Sequence, residues 1–251
     1  MRWHNMQESR HMMSNPQVIP LEVPARRKRN PRGSLNKEVI LAEAFKLCRE
    51  ENLDELSMPK LAKRLGVGVT SLYWYFHTKD ELLQTMLAQV ADEFLQALPH
   101  HSGLAWDEHF RRYFSDMRRI FLANDLISDF LVMYTHVSMI APGGYFMARL
   151  NSEVGILMDA GFSPEAATRG YQAMSVYTTG TVQKIRQVHL RGENPNLKMF
   201  PIEDPAVMSA LATDYPNLVT TSDYWHRTYS TDVDYEFGLN CIIDGMKTLL
   251  P

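Results

Sequence analysis

Apolar residues recur every three or four positions along most of this chain, and strict alternation of apolar and polar residues is rare. Such stripes run over residues 40–48, 58–65 and 82–94, and the last one stops before Pro99. A spacing of three to four places apolar side chains on one face of an α-helix, whereas a strand needs a period of two. The pattern therefore predicts an all-α fold.

Residues with capping chemistry precede these stripes. Asn36 or Ser34 can cap the first helix and Ser57 the second, because a side-chain oxygen there accepts a backbone N–H of the first turn. The residues TKDE at 78–81 form a capping box before the third stripe. These signals set the predicted starts of three helices.

Between the second and third stripes lies a tight turn followed by a further short helix. Gly66 suits the left-handed conformation that ends a helix, and only residues 67–69 separate it from a helix predicted at 70–76. Ala62 lets the two short helices cross closely. The arrangement is typical of a helix-turn-helix, whose second helix enters the DNA major groove. A small helical bundle without a DNA role is the alternative.

The remainder of the chain is also helical in pattern. Helices are predicted at 106–123, 125–137, 145–160, 163–190 and 232–250, with a short one at 204–212. The last long helix is apolar on more than one side, and Gly238, Cys241 and Gly245 form a stripe of small residues along it. We expect this helix to be buried by its own core and by a partner subunit.

Charge is distributed unevenly along the chain. The 251 residues carry 26 Lys and Arg against 29 Asp and Glu, a net charge of −3, which by itself argues against a nucleic-acid binder. Residues 25–37, however, hold six basic side chains and no acidic one, and Pro31 and Gly33 disfavour a helix there. We call residues 25–34 the basic arm. It can follow DNA phosphates or enter a minor groove, or it is only a solubilising tail.

Several protein classes are excluded by composition. A hydrophobic content of 45% rules out disorder of the whole chain, and two distant cysteines without metal-ligand spacing suit a reducing cytoplasm. Residues 1–24 lack the apolar stretch of a signal peptide and are predicted to be a disordered extension. The longest uncharged run, 130–148, is interrupted by His136 and by Pro142, so no membrane span is expected.

Two parts of the chain resemble the tetracycline-repressor (TetR) family of bacterial regulators. The helix-turn-helix pattern is carried by LSMPKLAKRLGVGVTSLYWYFHTKDELL, residues 56–83. The segments DAGFSPEAATRGY and DYEFGLNCIIDGMKTLL are similar to parts of the tetracycline repressor's C-terminal domain. The resemblance implies a homodimer, a palindromic operator in double-stranded DNA and a small-molecule effector. It implies a DNA-binding domain at 35–81 and a helical ligand-binding and dimerisation domain at 82–251.

By this resemblance, the DNA-contacting side chains lie on and beside the helix predicted at 70–76. The hydroxyls of Thr70 and Ser71 can hydrogen-bond to base edges, and Val69 can touch a thymine methyl. Family members often have a polar residue at position 69 and a basic one at position 59, which is Pro59 here. We therefore expect the arm and groove shape to carry more of the specificity. The expected contacts are Arg26, Arg29, Arg32, Ser57, Val69, Thr70, Ser71, Tyr73, Trp74, Tyr75 and Lys79.

The C-terminal domain is expected to hold an apolar or aromatic effector, because ligand pockets are mostly apolar with a few polar groups. The candidates are Phe110, Phe114, Met117, Met133, Tyr134, His136, Met174, Tyr177 and Thr178, with Phe121 in the same apolar set and Gln172 beside Thr178 on one helix. In tetracycline repressors, a histidine near the place of His136 binds a drug-chelated magnesium ion. The Thr-Arg-Pro that follows it there is replaced by Ser-Met-Ile at 138–140, which favours a core histidine, and no metal or cofactor is expected.

The resulting hypothesis is a cytoplasmic repressor that a small molecule releases from DNA by shifting the helix over 79–98, which joins the two domains. An all-helical enzyme or an interaction scaffold without operator binding is the alternative. No nucleophile elbow, phosphate-binding glycine loop or zinc signature appears in the sequence, so an enzyme is not expected.

Overall fold

The computed structural model describes residues 35–133, 145–193, 205–224 and 231–251. Within these ranges the secondary structure is helical, without a strand, as the pattern predicted. The helices are α1 Lys37–Glu50, α2 Met58–Leu65, α3 Val69–Tyr73, α4 Lys79–Ala97, α5 Trp106–Ala123, α6 Asp125–Ser128, α7 Tyr145–Asp159, α8 Pro164–Leu190, α9 Pro205–Asp214, α10 Pro216–Thr220 and α11 Asp232–Lys247. None of them combines the length and the apolar character that a membrane crossing requires.

Side-chain caps fix the starts of the principal helices. Each capping oxygen accepts the backbone N–H three residues on: Asn36 from Val39 at 2.8 Å, Ser57 from Lys60 at 3.4 Å, Thr78 from Glu81 at 3.0 Å and Ser163 from Ala166 at 3.2 Å. Gly66 has a φ of 68° and ends α2, because the left-handed conformation is accessible to glycine at little cost.

Helices α1 to α3 pack into a small unit, residues 35–81, that we call the head. Ala62 on α2 is 1% exposed, and Leu72 and Phe76 are completely buried. The tight turn is closed by the N–H of Val67, which donates to the carbonyl of Ala62 at 3.0 Å. The head therefore has the short-helix, turn, short-helix geometry that the sequence predicted, but the second short helix, predicted at 70–76, is Val69–Tyr73.

The described residues after position 81 form a larger helical body. The long helix α8 packs against α5 and α11, and α4 packs against α7. One apolar cluster runs through both parts, and Phe45 of the head lies with its ring 6.3 Å from that of Phe130 in the body. Head and body thus share a continuous core.

The segment after α6 differs from the sequence prediction. A single helix was predicted at 125–137, but the α-helix ends at Ser128 and a π-helical turn, Asp129–Met133, continues it. Asp129 is buried there and accepts two hydrogen bonds from Arg186 of α8, at 2.7 and 2.9 Å. The wider turn accompanies this buried ion pair, which a local sequence pattern does not show. The last residues of the predicted helix, 134–137, lie outside the described residues.

Helix α11 is apolar on two sides, but only one of them is buried in the single chain. Leu239, Ile243 and Met246 face the core, while Phe237 is 71% exposed and Val233 is 76% exposed. The exposed side also carries Cys241 and Gly245.

Candidate functional site

The first candidate site is the outer surface of the helix-turn-helix. Helix α3 uses Leu72 to anchor itself in the core and turns its other face to solvent. Thr70 is exposed, Tyr73 is 43% exposed and Trp74 is 81% exposed. Because the aromatic rings of Trp74 and Tyr73 remain exposed to solvent in the folded head, they form a surface suited to binding a partner rather than to packing in the core.

The other predicted DNA contacts on the described residues vary in their exposure. Val69 and Ser71 are half-buried on α3, Lys79 is half-buried at the first turn of α4, and Ser57 caps α2. The arm residues Arg26, Arg29 and Arg32 lie outside the described residues. Of the eight described candidates, six lie on α3 or directly after it and two lie at the starts of α2 and α4, and each remains a prediction as a DNA contact.

Tyr75 has a partner within the head. Its hydroxyl donates to the backbone carbonyl of Leu35 at 2.5 Å, and the ammonium of Lys37 lies 5.1 Å from the ring centre of Phe76. Leu35 is the first described residue after the basic arm. The end of the helix-turn-helix is therefore fastened to the start of α1.

The basic side chains of α2 are engaged by carboxylates. Lys60 forms ion pairs with Glu51 and Glu55, and hydrogen bonds to these two groups raise the pKa of its ammonium. Arg64 pairs with Glu43 and Glu50, each at 2.7 Å, and these hydrogen bonds likewise raise the pKa of its guanidinium. Both cations are thus held in a network on the head.

The second candidate site is a cavity of about 760 Å³ in the body, bounded by α4, α5, α7, α8 and the π-helical turn. This volume lies within the range of small-molecule sites. Its apolar wall consists of Leu87, Ala88, Ala91, Phe94, Leu95, Met117, Phe121, Leu131, Phe146, Leu150 and Val154. Its polar lining consists of Gln84, Asp92, Tyr113, Arg149, Thr168, Tyr171, Gln172, Ser175 and Thr179.

Four of these polar residues form a stripe on α8. Thr168, Gln172, Ser175 and Thr179 follow one another at intervals of four, three and four, which places them on one helix face. The hydroxyls of Thr168 and Thr179 already donate to backbone carbonyls at 2.8 and 2.9 Å, so they offer acceptor lone pairs. Gln172 can both donate and accept.

At another part of the wall, Arg149 lies in a buried polar cluster. Its Nε pairs with Oε1 of Glu153 at 2.7 Å, and its two terminal nitrogens donate to Nδ1 of His100 at 2.6 Å and to the carbonyl of Pro99 at 3.1 Å. Glu153 also lies 2.6 Å from Nε2 of His109. The cluster balances the buried guanidinium charge and fastens α7 to the segment between α4 and α5.

Two tyrosines complete this part of the cavity. The hydroxyls of Tyr113 and Tyr171 are 3.4 Å apart, and burial raises the pKa of both phenols. Both therefore stay neutral at physiological pH and can donate or accept hydrogen bonds. In the part of the chain that the structure describes, no group of three or more His, Cys, Asp or Glu side chains is arranged to hold a metal ion.

The predicted ligand-binding residues are distributed between this cavity and the core beside it. Met117 and Phe121 line the cavity, as does Gln172. Residues placed in the neighbouring core are Phe110, Phe114, Met174 and Thr178, all with no exposed surface. Tyr177 donates to the carbonyl of Tyr235 at 3.1 Å, Met133 ends the π-helical turn, and Tyr134 and His136 lie outside the described residues.

Sequence reasoning missed the α4 wall and the Arg149 cluster. Arg149 and Glu153 stand four apart in an otherwise largely apolar helix, and that spacing is the signal that could have indicated a buried ion pair.

Residues 40–86 match the tetR family of bacterial regulatory proteins, and residues 98–250 match the tetracyclin repressor-like C-terminal domain. The chain belongs to the TetR family. Its head corresponds to the first match and most of its body to the second, with the end of α4 lying between them.

Relatives of this TetR-family protein include regulators from several bacteria. A helix-turn-helix transcriptional repressor of Mycobacterium tuberculosis is 34% identical over 236 residues, covering 90% of this chain and 86% of the relative. The class C tetracycline repressor protein of Escherichia coli is 26% identical over 225 residues, covering 86% and 93%. The crystal structure of the Streptomyces coelicolor TetR-family protein ActR with (S)-DNPA has a TM-score of 0.61 and 26% identity, covering 86% and 98%. The family is one of transcriptional regulators rather than enzymes.

Proposed function

We propose that this TetR-family protein is a ligand-responsive transcriptional repressor that binds palindromic DNA as a homodimer and is released by a small-molecule effector. The observation that carries the proposal is that one continuous apolar core joins a head with an exposed helix-turn-helix surface to a body with a cavity large enough for a ligand. The DNA-binding domain would be residues 35–81 and the effector and dimerisation domain residues 82–251.

DNA recognition is assigned to α3, with its exposed Thr70 and Tyr73, and to the exposed Trp74 that directly follows it. A recognition helix inserts its first residues into the major groove, and side chains beside it position the head on phosphates. Lys79 and Ser57 lie at helix starts, where they suit phosphate contacts.

The dimer interface is assigned to the outer faces of α8 and α11. Val176 of α8 is 69% exposed, and Phe237 and Val233 of α11 are exposed to a similar degree. Small residues such as Gly245 and Cys241 lie on the same side of α11 and allow a close approach of a second copy. A two-fold dimer would present two heads to half-sites about 34–36 Å apart.

The chemical class of the effector is assigned from the two faces of the cavity. The α4 side offers Leu87, Ala91 and Phe94 to an apolar or aromatic ring system, and the α8 stripe offers hydrogen-bonding groups along one edge. A molecule with a flat apolar body and polar groups on one edge fits this distribution. The ActR structure with its bound small molecule supports a ligand in this fold.

Release from DNA is assigned to α4, because this helix both leaves the head and forms the apolar wall of the cavity. An effector that binds better when α4 is displaced lowers DNA affinity by the ratio of its affinities for the two states. Such coupling is typically about 1–3 kcal/mol.

The test begins by selecting a binding site from a random duplex library with the full chain and measuring its affinity by electrophoretic mobility shift. A panel of aromatic compounds is then screened for release of that duplex. We expect Ala91→Trp, which fills the cavity, to retain duplex binding and to lose release by any active compound. Gln89→Trp, exposed on the same helix and outside the cavity, is the matched control and should respond like the wild type. Enrichment of no duplex, or release that persists in Ala91→Trp, would count against the proposal.

A further inference from the structure

One wall of the cavity carries a buried positive charge, the guanidinium of Arg149. This residue lines the cavity together with Tyr113 and Tyr171. Among the described residues that line it, Asp92 is the other charged one. A ligand inside the cavity therefore meets Arg149 or Asp92 as its charged neighbour.

The two charges differ in their surroundings. Asp92 is exposed to solvent on α4, and water screens the charge of an exposed carboxylate. Arg149 is buried on α7, where the lower effective dielectric makes a charge act more strongly on its neighbours. The field inside the cavity is therefore dominated by Arg149 and the groups that surround it.

A second cation, His109, lies behind Arg149. Oε1 of Glu153 is 2.7 Å from Nε of Arg149, and its Oε2 is 2.6 Å from Nε2 of His109. Nδ1 of His109 is 3.2 Å from the carbonyl of His101. A backbone carbonyl and an ionised carboxylate only accept hydrogen bonds, so both ring nitrogens of His109 must donate. His109 is thus an imidazolium, and one carboxylate faces two cations.

The nearby polar groups do not remove the surplus. Nδ1 of His100 accepts a hydrogen bond from Arg149 at 2.6 Å, so that imidazole is neutral. Asp116 is already engaged by His101 at 2.9 Å and by Arg119 at 2.6 Å. The buried group formed by Arg149, Glu153 and His109 therefore holds one more positive charge than negative.

The cavity wall also has hydrogen-bond donors to spare. Arg149 has five N–H groups, and its hydrogen bonds to the imidazole of His100 and to a backbone carbonyl use two of them. Its Nε, although close to Glu153, has no aligned acceptor in the part of the chain that the structure describes. The phenols of Tyr113 and Tyr171 share one hydrogen bond at 3.4 Å but have two protons between them, which leaves one to donate.

Building on the proposed ligand-responsive function, we propose that the effector is an organic monoanion, an aromatic carboxylate. Its carboxylate group lies at Arg149, Tyr113 and Tyr171, and its ring lies against the apolar wall of α4. A guanidinium matches a carboxylate in geometry, and hydrogen bonds between two charged groups are the strong ones. One surplus positive charge balances one carboxylate, whereas a phosphate dianion would exceed it.

The proposal is tested by calorimetric titration of the full chain, without DNA, with compounds matched in shape and different in charge. Aromatic acids of one to three rings, such as naphthylacetate, are each compared with the primary amide, here naphthylacetamide. Naphthylethylamine and its analogues supply cations of similar size. We expect the acids to bind at least about tenfold more tightly than their amides, because a buried hydrogen bond between charged groups is stronger than a neutral one, and the amines to bind most weakly.

Two substitutions test the origin of this preference. Arg149→Gln removes the guanidinium but leaves Glu153 paired with His109, so no buried carboxylate is left alone. It should reduce the preference for acid over amide to less than about twofold while the affinity for the amide changes less than about threefold. His109→Gln keeps the pair of Arg149 and Glu153 and should also reduce the preference, because the surplus charge is lost. Asp92→Asn, which removes the other charge of the cavity lining, is the matched control and should retain the preference.

The outcomes separate the charge of the effector from the existence of an effector site. Amides that bind as tightly as their acids, or an amine that binds best and loses affinity in Asp92→Asn, would overturn the anion assignment and leave the proposed function intact. A preference for acids that survives both Arg149→Gln and His109→Gln would overturn it as well. If no compound of any charge binds, or if binding persists in Ala91→Trp, the cavity is not a ligand site and the proposed function itself fails. Thermal melts followed by circular dichroism establish that each variant is folded, and the comparison of acids with amides on the wild-type chain needs no variant.

Discussion

The dimer interface assigned to α8 and α11 can be tested most directly at Phe237. A buried aromatic side chain covers about 200 Å², so the 71% that is exposed in the single chain corresponds to about 140 Å². At about 25 cal/mol per Å², burying this area contributes about 3.5 kcal/mol to association. In a two-fold dimer each subunit buries its own Phe237, so this contribution occurs twice. Because association also costs side-chain and rigid-body entropy, the realised contribution is smaller than this sum.

We expect Phe237→Asp to convert the dimer to a monomer at micromolar concentration. Even half of the symmetric total, about 3.5 kcal/mol, raises the dimer Kd about 300-fold, and the introduced carboxylate adds the cost of burying a charge. Sedimentation velocity measures the change, and binding of the selected palindromic duplex should weaken in parallel. Met158→Asp, at an exposed apolar position on α7, a helix not assigned to the interface, is the control and should remain dimeric.

Two results would refute this reasoning. A Phe237→Asp protein that sediments like the wild type shows that the outer face of α11 is not the interface. A wild-type chain that sediments as a monomer at micromolar concentration shows that the exposed apolar face is not covered by a second copy.

Two further predictions concern single residues of the body and head. Gly238→Ala should lower the free energy of unfolding, measured by urea titration, by about 1–2 kcal/mol, because the added Cβ would collide with the hydroxyl of Tyr177. Gly155→Ala has open space around the added Cβ and should raise the free energy of unfolding by about 0.5–1 kcal/mol. Equal effects of the two substitutions would contradict this reasoning. Burial, with the nearby Asp129 charge, raises the pKa of the Cys48 thiol from 9.0 to about 11, so at pH 8 iodoacetamide should label Cys48 in the unfolded chain and spare it in the native protein. Because the unfolded thiol ionises first, the Cys48 contribution to stability should be present below about pH 9 and be lost as pH rises towards 11, and rapid native-state labelling of Cys48 would refute the assignment.

Local chemistry was sufficient to predict the starts of the principal helices. A serine, threonine or asparagine at a cap acts on a backbone N–H three residues away, so Ser57, Thr78 and Ser163 could be identified without knowledge of the fold. The same holds for Gly66, whose left-handed conformation depends on its own backbone. The helix starts of head and body were predictable because these interactions join residues that are close in sequence.

The cavity depends on contacts that are distant in sequence. Hydrophobicity alone does not distinguish a core residue from a cavity wall, so Phe114 and Met174 were grouped with Met117 although only Met117 lines the cavity. The distinction depends on how faces of four helices converge. Similarly, Asp129 and Arg186 are 57 residues apart, and their pairing could not be inferred from either local segment.

The contact between Arg149 and the carbonyl of Pro99 has a mechanical consequence for α4. It fixes the C-terminal end of that helix, next to the buried Leu98, while the opposite end leads directly into the head. A helix of 19 residues is about 28 Å long, so a small tilt of α4 about its fixed end at Leu98 produces a larger displacement at its other end. A tilt of about 5° moves the start of the helix by about 2.5 Å, enough to take a recognition helix out of hydrogen-bonding distance of a base edge.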